Sequence, residues 1–300
     1  MDLEGKVALV TGASRGVGAA AAVALAEAGC DVACAARSTQ GAPQRTPGTL
    51  EETAARVGKT GRRALIVPTN LADEEEVVAM VRATEDAFGR VDVLVNNAAI
   101  TFIGDLDIPM KRHDLVMEVN LRAPLIACRA AVPGMQERGE GAILNVSSNA
   151  ALYPHPGVMS YGISKIGLER LTVDLARQLQ RWSIAVNCFR IDLAVASEGF
   201  IANTPGVDRS TWEPPEVAAE GIVWMLRQPP SYSGRREGMY ALRHREGIMA
   251  SRAEVPSGNA PPVMELYDGL APDTETTFRE PYPREGADVT LGLGDDRELG

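Results

Sequence analysis

The chain has few cysteines and histidines, four and three in 300 residues. Cys30, Cys34, Cys128 and Cys188 make no CxxC pair and no Cys/His cluster with metal-ligand spacing, so they read as buried thiols of a reducing compartment and no metal is expected. No run of about 18 apolar residues exists, so no membrane span is expected. Met1-Asp2-Leu3-Glu4-Gly5 offers no basic region before an apolar stretch, and no secretory leader is expected. Together these absences predict a soluble, cytoplasmic protein. Clustered positive charge is also missing. The formal net charge is −10. Residues 246–300 hold 12 acidic and 4 basic side chains, a net of −8, and the first 245 residues carry the other −2. That balance argues against nucleic acid as a partner, which needs grouped Lys and Arg.

What is present is a core-forming composition, 45% apolar, with a regular rhythm over the first 245 residues. Short apolar runs at 6–10, 31–35, 63–67, 91–95, 142–146 and 184–189 read as strands. Helical patterns at 17–28, 50–57, 73–88, 112–138, 160–181 and 214–227 lie between and after them. Asp73 stands at an N-cap, with Glu74, Glu75 and Glu76 in the first turn where the helix dipole favours them. Strands this short, separated by helices, predict an α/β fold with a doubly wound parallel sheet, a single Rossmann domain over 1–245. Residues 38–49 make a longer loop than a strand–helix connection needs. Residues 246–300, rich in Pro, Gly and acid, predict a mostly irregular tail, unless Met264, Leu266, Tyr267 and Leu270 dock on the core or on a partner.

The first strand runs into Thr11-Gly12-Ala13-Ser14-Arg15-Gly16-Val17-Gly18 at a helix start. Strand, glycine turn and helix N-terminus together make a pyrophosphate cradle. Glycines let the backbone approach the phosphates, and free N–H groups face the negative charge. Gly12, Ser14, Arg15, Gly16, Val17 and Gly18 are therefore candidate cofactor contacts. Farther on, Tyr161 and Lys165 lie four apart on an expected helix and share one face. A nearby ammonium favours a phenolate, so Lys165 is expected to lower the Tyr161 pKa and make it an acid–base group. Ser148 sits just past the fifth strand, where ligands bind such sheets, and can hold the same substrate oxygen. Its neighbour Ser147 is expected to point into the strand packing.

These motifs resemble the short-chain dehydrogenase/reductase family. The TGxxxGxG turn, Asn96-Asn97-Ala98-Ala99 in place of NNAG, Asn120, Ser148 and Tyr161-Gly162-Ile163-Ser164-Lys165 match its pattern in order, across nearly all of residues 1–245. The resemblance implies catalysis by Asn120, Ser148, Tyr161 and Lys165. Lys165 would also hold the nicotinamide ribose, and Asn120 would help hold a water that relays protons. Asn70, Leu71, Asn96, Ala98 and Leu193 complete the candidate cofactor contacts. The family is usually dimeric or tetrameric, which Leu121, Leu125, Cys128, Leu168, Leu171 and Leu175 could serve; their other reading is packing on the sheet.

The match breaks after the sixth strand. Ile191-Asp192 replaces the family's Pro-Gly, and Ala196 stands where a Thr is expected, with Ser197 beside it. Asp192 either faces solvent, pairs with a neighbouring Arg, or lies near the nicotinamide end. With the 38–49 loop and Pro109-Met110-Lys111-Arg112, this layout is similar to the hydroxysteroid dehydrogenase-like branch. Residues 192–212 read as the substrate loop. Trp212 lines the pocket or anchors a hinge, and His155 is solvated or touches substrate. At the end of strand two, Ala36 stands where NAD enzymes place an acid, and Arg37 follows. Arg15 and Arg37 together point to NADP over NAD. The expected activity is hydride transfer between NADP(H) and a secondary alcohol or ketone. A nucleotide-binding regulatory protein, and lyase or epimerase chemistry, are the other readings.

Overall fold

Val7–Thr11 is apolar except for Thr11 and buried throughout, as a strand covered on both faces must be. The computed structural model describes residues 1–261. In it this segment, β1, belongs to one parallel sheet with β2 (Asp31–Ala36), β3 (Ala64–Pro68), β4 (Val93–Asn96), β5 (Gly141–Ser148), β6 (Ile184–Ile191) and β7 (Arg236–Gly238). The order is β3-β2-β1-β4-β5-β6-β7. The expected doubly wound parallel sheet is present, and its order reverses between β1 and β4. Ligands of such sheets bind outside the carboxyl ends of the strands at that reversal.

The pleat sorts the strands between two cores. Ala8, Val10, Val32, Cys34, Leu144 and Val146 face one side, packed with α1 (Gly16–Glu27), α2 (Leu50–Gly58), α8 (Pro215–Leu226) and α9 (Met239–Glu246). Leu9, Ala33, Leu94 and Ile143 face the other, packed with α3 (Glu74–Phe88), α5 (Ala123–Arg138) and α6 (Met159–Leu179). Asp73 caps α3 as expected, its side chain accepting from the Glu75 and Glu76 N–H groups. All four cysteines are buried and free, and burial pushes the thiols of Cys30, Cys34 and Cys128 up to about 12.

Three stretches depart from the sequence reading. The helix expected over 112–138 is interrupted: α4 (Met110–Met117) and α5 are joined by a π-helical turn, Glu118–Arg122. Pro124 accounts for the break, since it has no N–H to give the Asn120 carbonyl. β7 was not anticipated. It is three residues long, too short to show periodicity. Finally, packing continues past residue 245. Gly247 ends α9 in the left-handed region. Met249 is buried beside Phe189 and Gly221. Arg252 N–H donates to Glu213 at 2.8 Å and Val255 N–H to the Ser210 carbonyl at 2.9 Å. Met264, Leu266, Tyr267 and Leu270 lie outside the described residues.

Candidate active site

The glycine turn is shaped by close approach. Gly12 and Gly16 hold positive φ values of 69° and 54°. A Cβ on Gly18 would stand 2.2 Å from the Gly12 carbonyl oxygen, so α1 lies against the turn at a distance only glycine permits. Arg15 is the N-cap of α1 and makes no side-chain cap bond, and no acid lies in the first turn. Helix N–H groups are thus left for an anion. Thr11 ties β1 to β4: its Oγ1 accepts from the Asn97 and Ala98 N–H groups, both at 3.1 Å. Ser14 and Val17 are buried within the turn.

The neighbouring positions divide. Arg37 is exposed at the end of β2. The Arg15 guanidinium donates to the Pro47 and Gly48 carbonyls at 2.7 and 3.0 Å, which fixes it against the 38–49 loop. Asn70 and Leu71 follow β3 at the same edge of the sheet. Ala98 is half-buried beside Gly12. Leu193, just after β6, is buried. The Asn96 side chain is spent on packing: its Nδ2 donates to Asn145 Oδ1 at 2.9 Å, which leaves only its backbone for a ligand.

At the end of β5 the catalytic candidates meet. The Ser148 side chain lies close enough to Tyr161 to favour its phenolate. Ser147, one residue back, points into the packing as expected and donates to Glu169 at 2.9 Å. Lys165 Nζ donates to the Val146 carbonyl at 2.8 Å and lies 5.5 Å from the Tyr161 ring centroid. Asn120, in the π turn, exchanges hydrogen bonds with the Ile100 backbone at 2.8 and 2.9 Å and donates to Ser164 Oγ at 3.1 Å. One expectation is corrected in the protein alone. The Tyr161 pKa is raised, because burial outweighs the opposing effect of the Ser148 hydroxyl. Lys165 is itself desolvated, and burial lowers it to about 8 despite the Glu169 charge.

Trp212 is buried and stacks on Phe200 of α7 (Glu198–Asn203) at 4.6 Å between centroids. His155 is exposed, edge-on to Tyr153. Asp192 accepts from the Tyr240 N–H at 2.9 Å, so the residue replacing the family's glycine caps α9. Two features escaped the sequence reading. Arg190 on β6 and Glu169 on α6 form a buried bidentate ion pair, both bonds at 2.8 Å. An Arg inside the otherwise uncharged strand run Ile184–Ile191 was the available signal, because a buried guanidinium requires a partner. Glu198 Oε2 is buried without a hydrogen-bond partner, close to Gly16. No residue pattern announced it.

Comparison with known proteins agrees with this fold. The family model for short chain dehydrogenases matches residues 6–193. An uncharacterized oxidoreductase of Thermotoga maritima is 39% identical over 185 residues, 61% of this chain and 69% of the relative. Hydroxysteroid dehydrogenase-like protein 2 of Xenopus tropicalis is 30% identical over 284 residues, 93% of this chain and 67% of the relative. A metagenomic short-chain oxidoreductase solved in complex with NADP is 29% identical, with a TM-score of 0.64 over 77% of this chain and 94% of that one.

Proposed function

The chain belongs to the short-chain dehydrogenase family and is an oxidoreductase, and from that premise we propose that it moves a hydride between NADP(H) and a secondary alcohol or ketone, with Tyr161 as acid and base. The observation that carries the proposal is the convergence of Ser148, at the end of β5, with Tyr161 and the buried Lys165, whose Nζ lies 5.5 Å from the Tyr161 ring centroid.

The residues present fit the cofactor. An uncapped helix end and a cradle that a Cβ would fill suit a diphosphate. Ala36 brings no carboxylate against a 2′-phosphate. Arg37 is exposed, with no partner among the described residues, and Arg15 has spent two of its five N–H donors, leaving three. When bound, NADP(H) supplies or accepts the hydride. Tyr161 gives its proton to the carbonyl oxygen in reduction and takes it back in oxidation. Ser148 holds that same oxygen. Lys165 holds the nicotinamide ribose and its charge favours the phenolate. Pro124 leaves the Asn120 carbonyl without its usual helical donor, suited to a water that passes protons outward. With the Tyr161 pKa raised, the hydroxyl is protonated at neutral pH, the form that reduction needs. Leu121, Leu125 and Leu171 keep accessible surface for a homodimer or homotetramer, whereas Cys128 and Leu168 are buried. A cytoplasmic location suits the buried thiols.

Oxidation of NADPH in the presence of a panel of ketones tests the reading. Tyr161→Phe is expected to lose about 10²–10⁴ in turnover while still binding NADPH. Turnover by that variant at the wild-type rate would contradict the acid–base assignment. Tight NADPH binding with no ketone reduced would favour a nucleotide-binding regulatory protein.

A further inference from the structure

The Glu169–Arg190 pair touches the catalytic set without belonging to it. Glu169 lies one helical turn beyond Lys165 on α6 and is fully buried, and Arg190 on β6 is 1% exposed. Arg190 Nε and Nη2 donate to the two carboxylate oxygens, and Ser147 donates to Glu169 Oε1 at 2.9 Å. With those acceptor sites taken, Glu169 acts on Lys165 through its charge while Lys165 Nζ bonds to the Val146 carbonyl.

The groups around Lys165 are few. From α6 come Tyr161 and Glu169 and from β6 Cys188, and behind Glu169 and Cys188 stand Arg190 and Asp192. From β5 come the Val146 carbonyl and the Ser147 and Ser148 hydroxyls, and the neighbouring π turn offers the neutral Asn120. Glu169 and Cys188 are the groups that draw Lys165 towards its charged form. Burial keeps the Cys188 thiol protonated, so it brings no charge at neutral pH. That leaves the Glu169 carboxylate.

We propose that Glu169 and Arg190 are positioning residues that set the charge on Lys165: Glu169 keeps the ammonium protonated, and Arg190 limits how tightly it does so. Without Glu169, a buried Arg190 cation would face Lys165 uncompensated. Without Arg190, the carboxylate would be free to pair with Lys165. The two substitutions break one ion pair yet push Lys165 in opposite directions. Loss of packing alone has no such sign.

The inference rests on the reading of Lys165 as a cofactor ligand, and its test needs no substrate. NADPH affinity is followed against pH by fluorescence with the full chain. Lys165→Met supplies the reference that lacks the lysine step. The wild type is expected to lose affinity with a midpoint near the Lys165 value of about 8. Glu169→Gln should lower that midpoint by about one pH unit, roughly tenfold in proton affinity, and Arg190→Met should raise it by less, because Arg190 acts on Lys165 through Glu169. The double variant Glu169→Gln/Arg190→Met buries no unpaired charge and decides the matter if a single variant does not fold. Its midpoint should lie below that of the wild type. Singles that shift the midpoint the same way, or a double variant with the wild-type midpoint, would overturn the proposal. NADPH binding in wild type with no pH step beyond that of Lys165→Met would overturn the lysine reading and the proposal with it. Absence of NADPH binding would strike at the cofactor itself.

Discussion

The two halves of the site are built from different materials. Around β1, α1 and β2 the proposed nucleotide end is made of backbone: positive φ at Gly12 and Gly16, a glycine contact that a Cβ would close, and an uncapped helix. Around β5, α6 and β6 the proposed catalytic end is made of buried charge and hydroxyl groups, with Lys165, Glu169 and Arg190 all at 2% exposure or less. Shape costs little to keep in a folded chain, whereas an ammonium out of water is expensive. The difference predicts that substitutions at the two ends have different signs and different dependence on pH.

The largest effect on stability is expected at Lys165. Its folded-state pKa is about 8 against an ordinary 10.5. Between those values the unfolded chain holds a proton that the folded chain has released, so stability rises with pH across that window. Below about 8 the full cost of the buried charge is present. Lys165→Met should therefore stabilise the fold at neutral pH, by at most about 3 kcal/mol, with the gain shrinking as pH rises towards 10.5. Thermal melting at several pH values checks this. A gain that does not change with pH would mean that packing, not charge, is responsible.

Next in size is a change of shape at the other end. Gly18→Ala would place a methyl group 2.2 Å from the Gly12 carbonyl oxygen. The backbone must move, at about 1–3 kcal/mol, and NADPH binding should weaken with it. Gly58→Ala, at the end of α2 with open space around it, is the control and should leave both unchanged. Equal melting temperatures for the two variants would show that the close approach carries no weight.

The same contrast explains what could be read in the sequence. Glycine spacing and the Tyr161–Lys165 interval are local, and the strands are continuous apolar runs, so the turn, the sheet and the helix that carries Tyr161 and Lys165 were all legible. The Glu169–Arg190 pair was not, because its members lie 21 residues apart on different elements and meet only when α6 packs on β6. Asp192 reads as a lost glycine until α9 arrives to be capped. The packing of residues 247–255 has no periodicity to detect. It rests on one buried Met249 and on Glu213, which holds the Arg252 backbone and the Arg243 guanidinium at 2.7 Å.

The smallest effect belongs to Glu198, where charge intrudes on the end built from shape. Its buried carboxylate oxygen stands 3.4 Å from where a Gly16 Cβ would lie, beside the start of α1. A negative charge there competes with a diphosphate. Glu198→Gln should tighten NADPH about 2- to 5-fold, the scale of a charge near a helix end. Unchanged or weaker binding, measured by titration, would show that the carboxylate turns away when the cofactor enters.

Cofactor choice is tested most directly by titrating NADPH and NADH into the wild type and Arg37→Ala. NADPH should bind the wild type more tightly than NADH. Arg37→Ala should weaken NADPH about 10- to 100-fold, the value of one charge-assisted hydrogen bond, and leave NADH nearly unchanged. Equal affinity for the two cofactors in the wild type, or an equal loss for both in Arg37→Ala, would contradict the assignment of NADP(H).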